Sequence, residues 1–160
     1  MSAAVTLRHM TLEDVPTVAE LDQMSFSLPW PERSFRFEVT ENDCSRCWVA
    51  EADGRIVGML VLWVIVDEAH IATIAVHPDY RRQGVGEHIL RETLKSAKVE
   101  GVVRATLEVR AGNMAAREMY RKFGFEIVGT RPRYYKDNNE DAILLTLHSL
   151  KNLDSFLEKR

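Results

Sequence analysis

A chain of 160 residues, 46% hydrophobic and 28% charged, is long enough to bury a self-sufficient core and is globular rather than disordered in composition. Its net charge of −3 at pH 7 argues against wholesale nucleic-acid binding, which needs a basic footprint, and leaves room only for a small basic patch. No apolar run reaches the ~20 residues that span a bilayer, and the opening MSAAVTLRHM lacks the apolar centre of a secretion signal, so a cytoplasmic protein with no DNA or membrane partner is expected.

In chain order, Val5–His9 alternates as a short strand. Thr11 stands as N-cap to a helix over Leu12–Phe26, with Glu13 and Asp14 in its first turn. Pro29 and Pro31 forbid that helix to continue, and a second helix runs from Glu32 to about Val39. Cys44 and Cys47 are spaced C-x-x-C but precede an apolar strand, and the five histidines are scattered. The pair therefore reads as two ordinary thiols, and no metal is expected. Trp48–Ala52 and Arg55–Val66 are strands turned about Asp53-Gly54, a strong hairpin signal. His70–Val76 is a third apolar strand. Gly84–Ala97 is helical, with Val85, Ile89, Leu90 and Leu94 on one face. Val102–Val109 is a strand, and Asn113 caps a helix that ends at Gly124. Phe125–Gly129 and Ala142–Leu147 are strands. Ser149–Leu157 makes a final short helix with Leu150, Leu153 and Leu157 inward. Strands lead the middle of the chain and alternate with helices later, so the class is mixed α/β with one central sheet, in a single domain over residues 1–160.

The stretch VHPDYRRQGVGEHIL, Val76–Leu90, carries the first chemistry. A glycine-rich turn leading into a helix aims backbone N–H groups at one spot, where the helix dipole adds positive charge; this is a place for an anion such as phosphate. The spacing fails the P-loop, which needs Gly-Lys-Ser/Thr, and fails the dinucleotide fingerprint, whose last glycine is replaced by Ile89. What remains is Arg/Gln-x-x-Gly-x-Gly after a strand.

That turn, with Ala75-Val76-His77-Pro78 before it, resembles the coenzyme A site of the GNAT family of N-acetyltransferases. LEVRAGN (Leu107–Asn113), AREMYRKFGFE (Ala116–Glu126) and RYYKDNNEDA (Arg133–Ala142) agree in order, and the resemblance covers Thr6 to Leu147. Within the family the stretches look like the bacterial ribosomal-protein alanine N-acetyltransferases. The resemblance implies an α+β fold, with a mixed, mostly antiparallel sheet flanked by helices. It also implies acetyl-CoA as acyl donor with CoA as product, and a ribosomal-protein N-terminus as partner. Cofactor contacts are implied at Ile74, Ala75, Val76, Arg81, Arg82, Gln83, Gly84, Val85, Gly86, Glu87 and Asn113. Backbone N–H groups of the strand Ile71–Val76 would pair with pantetheine and face the thioester oxygen.

Glu108 interrupts an apolar strand: Leu107 and Val109 point one way, Thr106 and Glu108 the other. Alone, such a glutamate is a solvated residue; by resemblance it is the general base. Tyr120 lies two helical turns after Asn113, roughly 10 Å along the axis. Alone it is an amphipathic core tyrosine; by resemblance it is the acid that serves the leaving thiolate. His70 is a reserve base or acceptor contact. Tyr134 and Tyr135 resemble the hairpin loop over the peptide N-terminus, and FSLPWPERSF, with Phe26, Pro29 and Trp30 matching best, resembles the opposite wall. Pro132 departs from the family pattern. The tail past Leu147 is long, and a monomer or weak homodimer is expected.

Magnitudes favour an α-amine as acceptor. Its pKa of about 7.7–8.0 makes deprotonation at neutral pH cost below about 1 kcal/mol, against about 4 kcal/mol for a lysine. The rivals are acetylation of a small amine, such as a polyamine or amino sugar, and a CoA-binding regulatory module without chemistry.

Overall fold

The structure, a computed structural model, describes residues 4–151 and 153. Its strands are β1 (Thr6–His9), β2 (Ser45–Ala52), β3 (Arg55–Ile65), β4 (Glu68–Val76), β5 (Arg104–Arg110), β6 (Glu126–Tyr135) and β7 (Glu140–Leu147). Its α-helices are α1 (Val15–Ser25), α2 (Glu32–Thr40), α3 (Val85–Val99) and α4 (Met114–Phe123). One sheet holds the strands in the order β1-β2-β3-β4-β5-β7-β6. The β4–β5 pair is parallel, whereas β1–β2, β2–β3, β5–β7 and β6–β7 are antiparallel. This is the mixed, mostly antiparallel architecture that the motifs implied.

Local chemistry explains most boundaries. Asp53 and Gly54 both take left-handed backbone, with φ of 54° and 74°, which is the turn that matches the twist of a two-residue hairpin. Asn113 Oδ1 accepts from the Ala116 amide at 3.2 Å, and Gly124 closes α4 with φ 99°. The first helix begins later than its pattern indicates. Leu12–Asp14 is a 3₁₀ turn, and Asp14 turns its carboxylate back to the Thr11 amide (2.7 Å) and to Arg8 (2.7 and 2.9 Å).

Two expectations are corrected, and a third falls largely outside the described residues. β2 starts at Ser45, so Cys47 lies inside a strand and in the core, while Cys44 is exposed before it. Both are free thiols, and burial pushes the Cys47 thiol up. β6 runs well past Gly129, to Tyr135, because pairing with β7 carries the strand through Pro132. β6 is an edge strand, so the missing Pro132 amide costs little, and the ladder slips between Arg131 and Tyr135. Of the expected final helix, residues 152 and 154–157 lie outside the described residues; Leu150 and Leu153 are buried.

The chain condenses into two compact units: Met1–Val64 with Ala72–Thr93, and Ile65–Ile71 with Leu94–Arg160. β4 and α3 each continue from one into the other. The first unit is built on Val15, Val18 and Leu21 of α1, Phe35 of α2, Val49 of β2 and Met59 and Val61 of β3. In the second, Ala105, Leu107 and Val109 pair with Leu147, Leu145 and Ile143, so one face of β5–β7 is buried and the other carries Thr106, Glu108 and Arg110.

Candidate active site

In the first unit, β4 delivers Ile74, Ala75 and Val76 to the anion turn. The Ala75 side chain belongs to the core, so only its backbone is offered to a ligand. After the 3₁₀ turn Pro78–Tyr80, Arg82 (φ 61°) and Gly84 (φ 79°) both take left-handed backbone. Residues alternating in this way turn successive amides toward one concavity suited to an anion. The first helical bond of α3 runs from the His88 amide to the Gly84 carbonyl, so the Val85 and Gly86 amides lie ahead of that ladder. Nothing stands within 4 Å of the place a Gly84 Cβ would occupy, so the concavity is open there. These donors and the neighbouring arginines fit a pyrophosphate.

The turn is braced by its own side chains. Arg81 donates from Nε to the Val76 carbonyl (3.0 Å) and from Nη2 to Ser25 Oγ (3.2 Å). Gln83 donates from Nε2 to the Asp79 carbonyl at 3.2 Å. Arg82 is exposed and makes no ion pair among the described residues. Glu87 lies in the first turn of α3. Trp30 sits in the α1–α2 loop, its amide donating to Asp22 Oδ2 at 2.7 Å and its ring 5.1 Å from that of Phe35. Asp22, only 1% exposed, is the anchor of that loop, and burial raises its pKa.

The second unit gathers the titratable groups. Glu108 lies on the polar face of β5, its side chain 23% exposed, with Arg131 Nη2 3.9 Å from its Oε1. The parallel β4–β5 register comprises three pairs and ends with His70 opposite Thr106, whose Oγ1 is 2.9 Å from His70 Nδ1. Burial lowers the His70 pKa, Glu108 and Glu68 oppose that, and Arg131 adds to it. His70 therefore senses the charge of Glu108.

Tyr120 is 4% exposed, its ring edge-on to Phe125 at 5.6 Å between centroids. Burial first, and Tyr135 second, raise its pKa well above the ordinary phenol value. Its hydroxyl makes no hydrogen bond among the described residues, yet no enclosed polar atom there lacks a partner. The oxygen therefore reaches accessible space while the ring is in the core. Tyr135 is half-buried, with its pKa raised by burial and then by the Glu108 carboxylate. Tyr135 thus senses the Glu108 charge and adds to the upward shift of Tyr120.

Arg110, on the same face as Glu108, was not singled out from sequence. Its Nη2 is 3.0 Å from Asp137 Oδ2, its Nη1 3.3 Å from Glu140 Oε1, and its Cζ stands 4.0 Å over the Tyr135 ring. It ties the β6–β7 turn to β5. Tyr134 is 42% exposed, edge-on to Tyr135, with Arg131 over its ring. Both tyrosines end β6; the turn proper is 136–139. Asn113 is exposed and caps α4. The alternation along β5 that put Thr106 on the face of Glu108 extends to Arg110 and could have found it; Arg131 leaves no local signal.

Residues 15–125 match the model of the acetyltransferase (GNAT) family. A Bacillus subtilis (strain 168) protein named as a candidate ribosomal protein bS18-alanine N-acetyltransferase is 39% identical over 145 residues, spanning 91% of this chain and 96% of its own. The crystal structure of the ribosomal-protein alanine N-acetyltransferase from Escherichia coli superposes with a TM-score of 0.84 at 32% identity, covering 92% of this chain and 96% of that one. A GNAT family acetyltransferase from Elizabethkingia anophelis, solved with acetyl-CoA bound, shares the fold at TM-score 0.75 and 22% identity, covering 90% of this chain and 97% of that one.

Proposed function

The chain belongs to the GNAT family of acetyltransferases, and from that premise we propose that it acetylates the N-terminal α-amine of a ribosomal protein, with alanine as the acceptor residue. As a family member it draws on acetyl-CoA, which when bound supplies an acetyl group activated as a thioester. The turn from Arg82 to Glu87 holds the pyrophosphate through backbone amides, and the β4 backbone at Ile74–Val76 orients the pantetheine arm.

Glu108 takes the proton from the α-amine, directly or through one water. A single carboxylate suffices, because an α-amine near pH 7.4 is deprotonated at a cost below about 1 kcal/mol. Arg131 and Thr106 hold the polar face on which Glu108 and His70 stand. Tyr120 presents its hydroxyl to the departing sulfur. Its raised pKa keeps it protonated at neutral pH, so it serves first as a hydrogen-bond donor and only then as a proton source. Tyr134 and Tyr135 close over the acceptor peptide. The reading places the protein in the cytoplasm, as one domain over residues 1–160 and a monomer or weak homodimer.

The observation that supports this reading is Glu108 on the polar face of β5, with Arg131 3.9 Å from its carboxylate, in the same unit as a buried Tyr120 whose hydroxyl makes no hydrogen bond among the described residues. The test is mass spectrometry of peptides with N-terminal Ala, Ser or Met, and of a blocked peptide bearing Lys, after incubation with acetyl-CoA. Acetylation is expected on the alanine α-amine, with Glu108→Gln and Tyr120→Phe each lowering turnover about 10²-fold or more while CoA affinity holds. Acetylation of the lysine in preference, or full turnover in both variants, would overturn it.

A further inference from the structure

In the second unit, Glu140 and Asp141 open β7 and are bonded on both sides. Toward β5, Glu140 Oε2 accepts from the Gly112 amide at 2.6 Å, and the Asp141 carbonyl accepts from the Ala111 amide at 3.0 Å. The Gly112 amide, more than any other group, holds the Glu140 carboxyl below the usual carboxylate range. Residues 111–113 form the turn that launches α4. The Met114 amide donates to the Gly112 carbonyl at 2.9 Å, and Asn113 caps the helix that carries Tyr120. Toward β6, Asp141 Oδ1 accepts from the Arg133 amide at 2.9 Å. Arg131 pairs with Ala142 and Tyr135 with Glu140, so residues 132–134 bulge opposite Asp141 alone. Arg133 takes left-handed backbone there (φ 51°), which an arginine keeps only where its surroundings fix it. Two adjacent carboxylates thus fasten the tyrosine-bearing end of β6 and the start of α4 to one point of β7.

We propose that Glu140 and Asp141 are positioning residues that couple these two ends: order imposed on the α4 turn by the cofactor passes to the bulge that presents Tyr134, and order imposed on the bulge by the acceptor passes back to α4. The inference rests on the reading above, which gives Asn113 to CoA and Tyr134 to the acceptor peptide. Coupling between two binding sites is reciprocal, so it is measurable from either side.

The experiment follows backbone amide exchange by NMR, with and without saturating CoA. In the wild type, CoA is expected to slow exchange of the Arg133 amide about fivefold. In Glu140→Ala that slowing should fall below twofold, while CoA affinity stays within about threefold. Glu140→Gln keeps a carbonyl oxygen for the Gly112 amide and should retain most of the slowing, a rescue that a general loss of stability would not give. Should Glu140→Ala fail to fold, Gly112→Ala breaks the same bond from the other side. Gly112 is not left-handed, so alanine fits its backbone, but the new Cβ would stand 2.6 Å from Glu140 Oε2 and displace it. From the acceptor side, an N-acetylalanyl product peptide should tighten CoA about fivefold in the wild type and less than twofold in Glu140→Ala or Gly112→Ala. CoA that binds the wild type without slowing Arg133, slowing of equal size in the Ala variants, or a product peptide that leaves CoA affinity unchanged although its parent is acetylated each overturns the coupling. If Arg133 responds as expected but no alanine peptide binds or is acetylated, the coupling stands and the proposed acceptor falls.

Discussion

The Arg110 guanidinium lies 4.0 Å above the ring of Tyr135 while its nitrogens reach Asp137 and Glu140, so one side chain of β5 holds both the end of β6 and the turn that follows. Stacking and ion pairing together hold Tyr135, at the end of β6, against Arg110 of β5. Arg110→Met removes all of these contacts at once. We expect the peptide KM to rise about tenfold with CoA affinity within about twofold, and the melting temperature to drop by a few degrees. Steady-state kinetics and calorimetry on one preparation check this; an equal loss of CoA affinity would place the defect elsewhere.

Gly84 tests the anion turn. Its φ of 79° costs a residue with a Cβ about 1–2 kcal/mol, although the space before it is open. Asn tolerates left-handed backbone better than Ala. CoA affinity by calorimetry should therefore fall in the order wild type, Gly84→Asn, Gly84→Ala, with about a tenfold loss for Ala. Equal losses in the two variants would show that backbone strain is not the cause.

His70 reports on Glu108. Burial holds its pKa below the ordinary 6.5, while the Glu108 carboxylate pulls upward and Arg131 downward. A histidine with a lowered folded pKa destabilises the fold when protonated, so its contribution to stability rises as pH climbs from the folded pKa to about 6.5 and is constant above. An NMR titration of the His70 ring should give a midpoint below 6.5, lower still in Glu108→Gln and higher in Arg131→Met. A midpoint that ignores both substitutions would separate His70 from Glu108.

The pair Arg8–Asp14 sets an acid limit on stability. The Arg8 hydrogen bonds hold the Asp14 carboxyl at about 2, against an ordinary 3.8. A lowered carboxylate stabilises the fold above its unfolded pKa and loses that contribution as pH falls from about 3.8 toward about 2. With Arg8 38% exposed, the contribution is about 1–2 kcal/mol rather than the full value of the shift. Urea unfolding of wild type and Asp14→Asn should differ by that amount at pH 7, by less as the pH falls below about 3.8, and converge only below about pH 2. A gap of equal width at both ends of the range would assign the effect to packing.

Features written in neighbouring residues were legible without coordinates. The Asp53-Gly54 hairpin, the Asn113 and Gly124 caps of α4 and the buried face of α3 each depend on groups a few residues apart, whose spacing sets their geometry. The glycine turn at 81–86 is of the same kind, as is the outward facing of Glu108 by alternation along β5. The tertiary structure alone decided what crosses between strands. Arg131 reaches Glu108 from β6 by way of β7, Arg110 clamps a turn nearly thirty residues away, and Trp63 meets Glu38 over 25 positions. β6 extends through Pro132 because β7 supplies its partner. Register between distant strands follows from which faces are buried together, and no local propensity encodes that.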